Sequence, residues 1–526
     1  MMTSETPETS PGNGAVGSTR DRFGLPGAIM LVAACLGQQP VAAQDPVDPA
    51  TLQRDVAVRF AAGDYLGVVE ATDGVEKALR AKAKDPDFVP RMRLIAELLT
   101  RRAVAERAIG RLDAAEASLE AAGKTLGDKD VQRIVAMFVR SAGEKAAPAV
   151  VPLELTNLQL VDAQLDLVLA LIEADAAPGS DADTVRKPGA EGEKPAPAES
   201  APRKAKARGD LRQTFNALLF QSRGLRQGLD ERLEKAEPAV QSSPTSRVLA
   251  SLARPTLHTA RAALIVARTQ SAASPPGGAA PPVANPDGAQ AVAAPAKAIA
   301  PVAPAVADAT AAPADPASAP PDPVKLLTEA LEVAENAMAP VLAPPENDDR
   351  PAAEAAAALA LAKYEAALVR APYLEWRARA RIMAGDTSGA RADVQAALAE
   401  RAAAGQRTHP DLVESLVIGG EAALAEAHQS RASGDLAASR AAFEHAVAWL
   451  SRARDVAAAC PGAFHAESPL RQRIDDLLTS AVEARQSTVA TVATTDAVDA
   501  AARRALRALG ARPASPARPA AAEAVP

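Results

Sequence analysis

The chain has 526 residues, room for two to four folded units at roughly 100–200 residues each. Apolar residues make up 48% but aromatics only 2%. Strand-forming side chains are therefore scarce and Ala, the strongest helix former, dominates, which excludes a β architecture and predicts an all-α fold packed through small side chains. A net charge of −7 with no basic stripe excludes a nucleic-acid footprint, and the preference for Arg, with no Lys after Lys363, reads as the bias of a GC-rich genome.

In chain order, residues 1–22 are polar and end in Arg20-Asp21-Arg22. An apolar stretch from Phe23 to Gly37 follows, then Val41-Ala42-Ala43 ahead of Gln44. A charged flank, a short apolar segment and small residues at a cleavage point form the pattern of a secretory signal, so residues 1–43 are expected to be a signal peptide. The stretch contains Pro26 and is shorter than the ~20 residues a bilayer span needs. Val32-Ala33-Ala34-Cys35 offers a competing reading, a lipoprotein cleavage box with Cys35 as a lipid anchor. Cleavage after Ala43 would leave Cys460 as the only cysteine, without a disulfide partner. No later apolar segment is expected to act as a transmembrane span. The protein is expected to be exported, to the periplasm or beyond the cell, or held at the envelope.

Residues 44–174 read as helical hairpins. Residues 175–209 are rich in Ala, Pro, Gly and charge and are expected to be a disordered loop, because they cannot bury enough surface to offset the entropy of ordering. Residues 210–270 read as helix again, and 271–321, mostly Ala and Pro, as a second disordered loop. Residues 322–510 return to helical repeats, with a short break from Pro340 to Pro351, and 511–526 form a disordered tail.

The breaks interrupt hairpins rather than separate domains. Leu158, Val161, Leu165, Val168 and Ile172 before the first break lie on one helix face; Leu211, Phe215, Leu218, Ser222, Leu225 and Leu229 after it do the same. Two such stripes adjacent in sequence predict an antiparallel pair. Residues 256–269 are expected to pair likewise with a helix opening at Asp322-Pro323.

A recurrent pattern runs through the helical parts: a helix ending in Gly, often Gly-Asp, then a second helix with small and apolar residues at fixed offsets. It appears as Ala427, Gly434-Asp435-Leu436, Ser439, Phe443 and Ala446; as Ala378, Gly385-Asp386, Ala390, Val394 and Ala397; as Ala103, Gly110, Leu112, Ala115, Leu119 and Ala122; and as Gly63-Asp64-Tyr65 with Val68. A partial copy, Tyr364-Glu365-Ala366-Ala367-Leu368, closes with Pro372. The pattern resembles the tetratricopeptide-repeat family over about residues 48–125 and 352–455. Its glycines are farther apart than that family's period of about 34 residues, and the usual large residues of the first helix are mostly missing. The resemblance implies a TPR-like α-hairpin solenoid whose first helices line a concave groove for peptides or protein partners. Carried onto this chain, the partner-binding positions are Glu97, Arg107, Glu375, Arg379, Glu421, His428 and Arg431, a mixed-charge lining suited to a polar segment.

Motifs for catalysis are absent: there is no phosphate loop, no GxGxxG, no GxSxG and no HExxH. His258, His409, His428, His445 and His465 lack metal-ligand spacing, so no metal or cofactor is expected. Asp162 and Asp166 read as a solvated helix face. Gly224-x-x-x-Gly228 reads as a tight helix crossing or a local weakness. Trp449 reads as core and Trp376 as a residue near the inner face. The expected function is a non-enzymatic protein-interaction scaffold; a structural spacer and an enzyme of unrecognised type are the alternatives.

Overall fold

The computed structural model describes residues 48–176, 208–273, 321–343, 351–406, 408–464 and 468–508, and among these there is no strand. The expected signal segment, Cys35, the C-terminal tail and most of both long Ala/Pro stretches lie outside the described residues.

The helices in order are α1 (Pro49–Ala61), α2 (Tyr65–Ala71), α3 (Val75–Leu79), α4 (Phe88–Ala108), α5 (Leu112–Leu126), α6 (Lys129–Ala142), α7 (Ala147–Ala176), α8 (Arg208–Arg226) and α9 (Leu229–Leu233). They continue as α10 (Pro238–Gln241), α11 (Pro244–Ala250), α12 (Ala253–Ala273), α13 (Pro323–Leu342), α14 (Ala352–Met383), α15 (Thr387–Ala403), α16 (Pro410–Ala432), α17 (Leu436–Ala459) and α18 (Pro469–Ala508). Residues 175, 176, 208, 209 and 271–273 thus belong to helices rather than to the breaks around them.

The repeated glycine turns, three of them Gly-Asp and one Gly110-Arg111, share one geometry. The amide after each glycine donates to the carbonyl five residues earlier: Asp64 to Arg59, Arg111 to Glu106, Asp386 to Arg381 and Asp435 to Ser430, at 2.8–2.9 Å. This is the hydrogen bond that closes a helix through a left-handed residue. The aspartate then caps the next helix, its carboxylate accepting from Gly67 N at 3.0 Å, Gly389 N at 2.8 Å and Ala438 N at 2.9 Å. One short segment therefore ends one helix and starts its antiparallel partner. Small residues let the two helices approach: Ala103, Ala115, Ala122, Ala378, Ala390, Ala397, Ala427, Ser439 and Ala446 are all buried. Leu119, Val394 and Phe443 are buried beside them.

The chain does not turn at Pro372. α14 runs through it without a break, because Ala371, Tyr373 and Leu374 are buried on both sides and packing holds the helix that proline weakens. α13 likewise continues through Pro340.

α7 packs across the first break on α8, with Val161, Leu165 and Val168 against Phe215, and on α9, with Leu155 and Leu158 against Leu229 and Leu233. α12 packs on α13 through Leu257, Ala260 and Leu264 against Leu327, Ala330 and Leu331. α7 is, contrary to the sequence reading, long and apolar enough to cross a membrane by length and composition. Its apolar window is 61% buried among neighbouring helices, so the fold uses it as a central core element.

The first and last hairpins meet. Leu412, Val413, Leu416 and Val417 of α16 and Ala453 and Ala457 of α17 share one core with Val56, Tyr65, Val68 and Leu98. Leu66 N donates to Gly462 O at 3.2 Å, and the Tyr65 hydroxyl to Asp411 at 3.1 Å. Gly63 sits in this contact with a φ of 72°; a Cβ there would lie 2.1 Å from Pro410 Cδ, so only glycine permits both the turn and the approach. The series of hairpins therefore closes on itself.

Candidate functional site

Residues on α7 and α12 pair along their length. His258 lies between Asp162 and Asp166, at 3.8 and 3.6 Å, Asp166 pairs with Arg261, and Glu173 with Arg268. Positions 162, 166 and 173 share one helical face, as do 258, 261 and 268, so two parallel helices present complementary stripes. The expected solvated face at Asp162 and Asp166 is thus a correction: Asp162 is 8% exposed in its side chain and bound by Arg226 Nη2 at 2.8 and 2.9 Å. Burial excludes water, and the carboxylate is retained because a guanidinium replaces it.

Further helices complete the lining. Arg107 of α4 lies 3.8 Å from Asp166. On α14, Trp376 has the guanidiniums of Arg261 and Arg379 each 4.5 Å from its ring centroid, an arrangement favoured by the ring quadrupole. Arg379 pairs with Glu414 of α16 at 2.9 Å, and Glu421 of α16 with Arg473 of α18. Glu375 receives Arg401 Nη2 at 2.7 Å and Nε at 2.8 Å, with the Ser415 hydroxyl on the same oxygen. Arg401 reaches on to Asp411 at 3.2 Å, joining this group to the Tyr65 closure.

At one end of this lining lies a pocket of about 200 Å³. Leu264, Ile265, Trp376, Ile382 and Met383 form its apolar wall, and Glu173, Arg268, Arg379 and Glu421 carry its charges. Each of those charges already has a partner, so the pocket combines an apolar floor with a neutralised polar rim.

Burial shifts several groups. It pushes Glu375 up to about 7 against the pull of Arg401, and lowers His258 to about 3 despite Asp166. It lifts the Tyr373 hydroxyl to about 12. Burial also opposes the charge of Asp166, but Arg261, then Arg107, hold that carboxyl well below the usual range. For Arg379, burial is outweighed by Glu414 and its value is raised.

Of the sequence-selected positions, Arg107, Glu375, Arg379 and Glu421 join this lining. Glu97 does not; it is held by Arg101 at 2.8 Å and by Gln53 of α1. His428 is exposed, its ring edge-on to Phe443 at 5.4 Å, and Arg431 is exposed beside the Gly434 turn. Sequence reasoning missed Arg226, Arg254, Arg261 and Tyr373. The signal for α12 was present, since Arg254, His258, Arg261 and Arg268 recur on one helical face opposite the acidic stripe of α7. Cys460 donates its thiol to Thr408 O at 2.8 Å, and burial raises its pKa, which works against a nucleophilic role. Gly224 has open space around it and Gly228 forms a left-handed turn, so the GxxxG spacing marks no tight crossing. Among the described residues no group of His, Cys, Asp and Glu is placed to hold a metal ion.

No family model matches the chain, and neither the curated proteins nor the solved structures contain a match to it.

Proposed function

We propose that the protein is a non-enzymatic interaction scaffold of TPR-like hairpins, exported to the periplasm or cell envelope, that binds an extended segment of a partner protein along the lining of its first helices. The segment is polar and carries one bulky apolar side chain, seated beside Trp376. The observation that carries this reading is the convergence of α7, α12, α14 and α16 on one pocket whose floor is apolar and whose rim charges are already paired. Such a rim selects by hydrogen bonding and shape rather than net charge, while the aromatic floor supplies an anchor. The shared Gly-Asp turn and the buried small residues support the TPR-like reading. A plain spacer would present a smooth alanine face, whereas this lining is charged. Export rests on residues 1–43, with Cys35 as the anchor if the lipoprotein reading holds.

The test is selection from a displayed peptide library on the full chain, followed by titration of the winners. Winners should share one large apolar residue with charges of both signs around it. Trp376→Ala and Arg379→Glu should each weaken them about tenfold or more, in the range of a lost hot spot, while Arg431→Glu should leave them unchanged. Winners unaffected by Trp376→Ala would refute the pocket, and a reporter retained in the cytoplasm when fused to residues 1–60 would refute export.

A further inference from the structure

The charge ladder holds a second cluster, built by α8, α12 and α14 around His258, and it meets the Trp376 pocket only at Arg261. Among the described residues, ten buried side-chain polar atoms lack a hydrogen bond, and six of them gather here. They are the Nε atoms of Arg226, Arg254 and Arg261, both ring nitrogens of His258, and the Tyr373 hydroxyl. His258 and Tyr373 are each 0% exposed. Buried polar atoms in native proteins are nearly always paired, so such a concentration calls for a partner.

The charges say of what sign. Asp162 is already held through both oxygens by Arg226, and Asp166 is shared between Arg261 and Arg107. Arg254, one turn before His258 on the same face of α12, makes no hydrogen bond to either aspartate; burial works against its charge, and Tyr373, Asp162 and Asp166 together outweigh it. Guanidiniums therefore outnumber carboxylates in the cluster, and burial keeps His258 neutral; its ring nitrogens lie 3.8 Å from Asp162 and 3.6 Å from Asp166, beyond hydrogen-bond length, so its one N–H is still to give. Burial also keeps the Tyr373 phenol protonated, as a donor. The free groups are thus donors around a surplus of positive charge; Arg254 is half-buried, whereas His258 and Tyr373 are fully enclosed.

We propose that Arg254, His258 and Tyr373 form a binding site for a small oxyanion, a carboxylate or a phosphate, held by the guanidinium, the imidazole N–H and the phenol. Charge-assisted bonds of this kind are the strong ones, and Arg suits both ligands. The site does not depend on the groove reading: it has its own residues, and either can fail alone.

The experiment is thermal unfolding of the full chain titrated with inorganic phosphate, and separately with acetate, at constant ionic strength set by sodium chloride. Either anion should raise the melting temperature saturably; phosphate alone identifies a phosphoryl ligand, and acetate alone a carboxylate. Tyr373→Phe keeps the ring and removes only the hydroxyl, so without anion it should be at least as stable as the native chain. With anion its apparent Kd should rise about tenfold or more, as expected for one lost hydrogen bond to a charged group. Arg254→Gln, at a partly exposed position, should weaken the effect further. Absence of saturable stabilisation by both anions, or an unchanged Kd in both variants, would overturn the proposal.

Discussion

Arg226→Met removes the guanidinium that holds Asp162 in the core. The two side chains are 1% and 8% exposed, and both carboxylate oxygens lie within 2.9 Å of one nitrogen. Breaking a buried pair from one side leaves an uncompensated charge and costs about 3–5 kcal/mol. Asp162→Leu/Arg226→Met removes both charges and should recover most of that loss. A residue of about 1–2 kcal/mol should remain, because Arg254 loses one of the two carboxylates that act on it at longer range. Urea unfolding followed by far-ultraviolet circular dichroism measures both variants. The single variant has a second signature. Without Arg226, burial dominates at Asp162 and the carboxyl takes up a proton more readily, so the cost should shrink as pH falls from 8 to 5. The reasoning is refuted if Arg226→Met costs less than about 1 kcal/mol, or if the double variant is no more stable than the single one. Either result would mean that the α7–α8 pair is not pinned by this contact.

Two glycines should respond oppositely to the same change. Gly420→Ala would place a Cβ 2.6 Å from Leu450 Cγ, and overpacking of about 1–3 kcal/mol should exceed the gain of about 1 kcal/mol in helix propensity; Gly224→Ala meets nothing within 4 Å and should stabilise. Melting temperatures should move down and up respectively, and a rise for Gly420→Ala would contradict the close α16–α17 crossing. Helix caps should show a contrast too: Asp386→Ala and Asp435→Ala should each cost about 1 kcal/mol, whereas Arg111→Ala, whose side chain makes no cap bond, should cost little in the same denaturation assay. The pH dependence has two opposing parts. His258 has its folded value at about 3 against 6.5, so the unfolded chain binds the extra proton and stability falls as pH drops below 6.5. Glu375 has its folded value at about 7 against 4.5, so the folded chain binds the extra proton and stability rises as pH drops from 7 to 4.5. Between pH 6.5 and 4.5, His258→Gln should gain stability relative to the native chain on acidification and Glu375→Gln should lose it, each by up to about 1.4 kcal/mol per unit; parallel curves for all three proteins would exclude both assignments.

Much of the helical plan was legible because it is local. A Gly-Asp turn states its own geometry: glycine supplies the left-handed residue and aspartate the cap, and both act within five residues. The stripes on α7 and α8 were equally readable, since a helix face is fixed by spacing alone. Pro372 misled because local propensity was overruled by burial of Tyr373 and Leu374 in contacts from distant sequence. The closure of Tyr65 on Asp411 was invisible for the same reason; the contact joins residues that no periodicity relates.

The site was harder to read because its meaning depends on pairing. Asp162 and Asp166 on their own are what a solvated helix face looks like, and only the cations that meet them, Arg226 of α8 at Asp162 and Arg261 of α12 at Asp166, convert them into a buried seam. Had the stripes of α7 and α12 been compared for charge, rather than each scanned for apolar residues, the register of Asp162 with His258, Asp166 with Arg261 and Glu173 with Arg268 would have emerged. Such a ladder does more than hold two helices. A slide of one turn would set Arg261 opposite Asp162, already bound by Arg226, and leave Asp166 without its closest cation. The seam therefore fixes the register in which α7 and α12 present Glu173, Ile265 and Arg268 to Trp376, and the position of the pocket follows from ion pairs that do not line it.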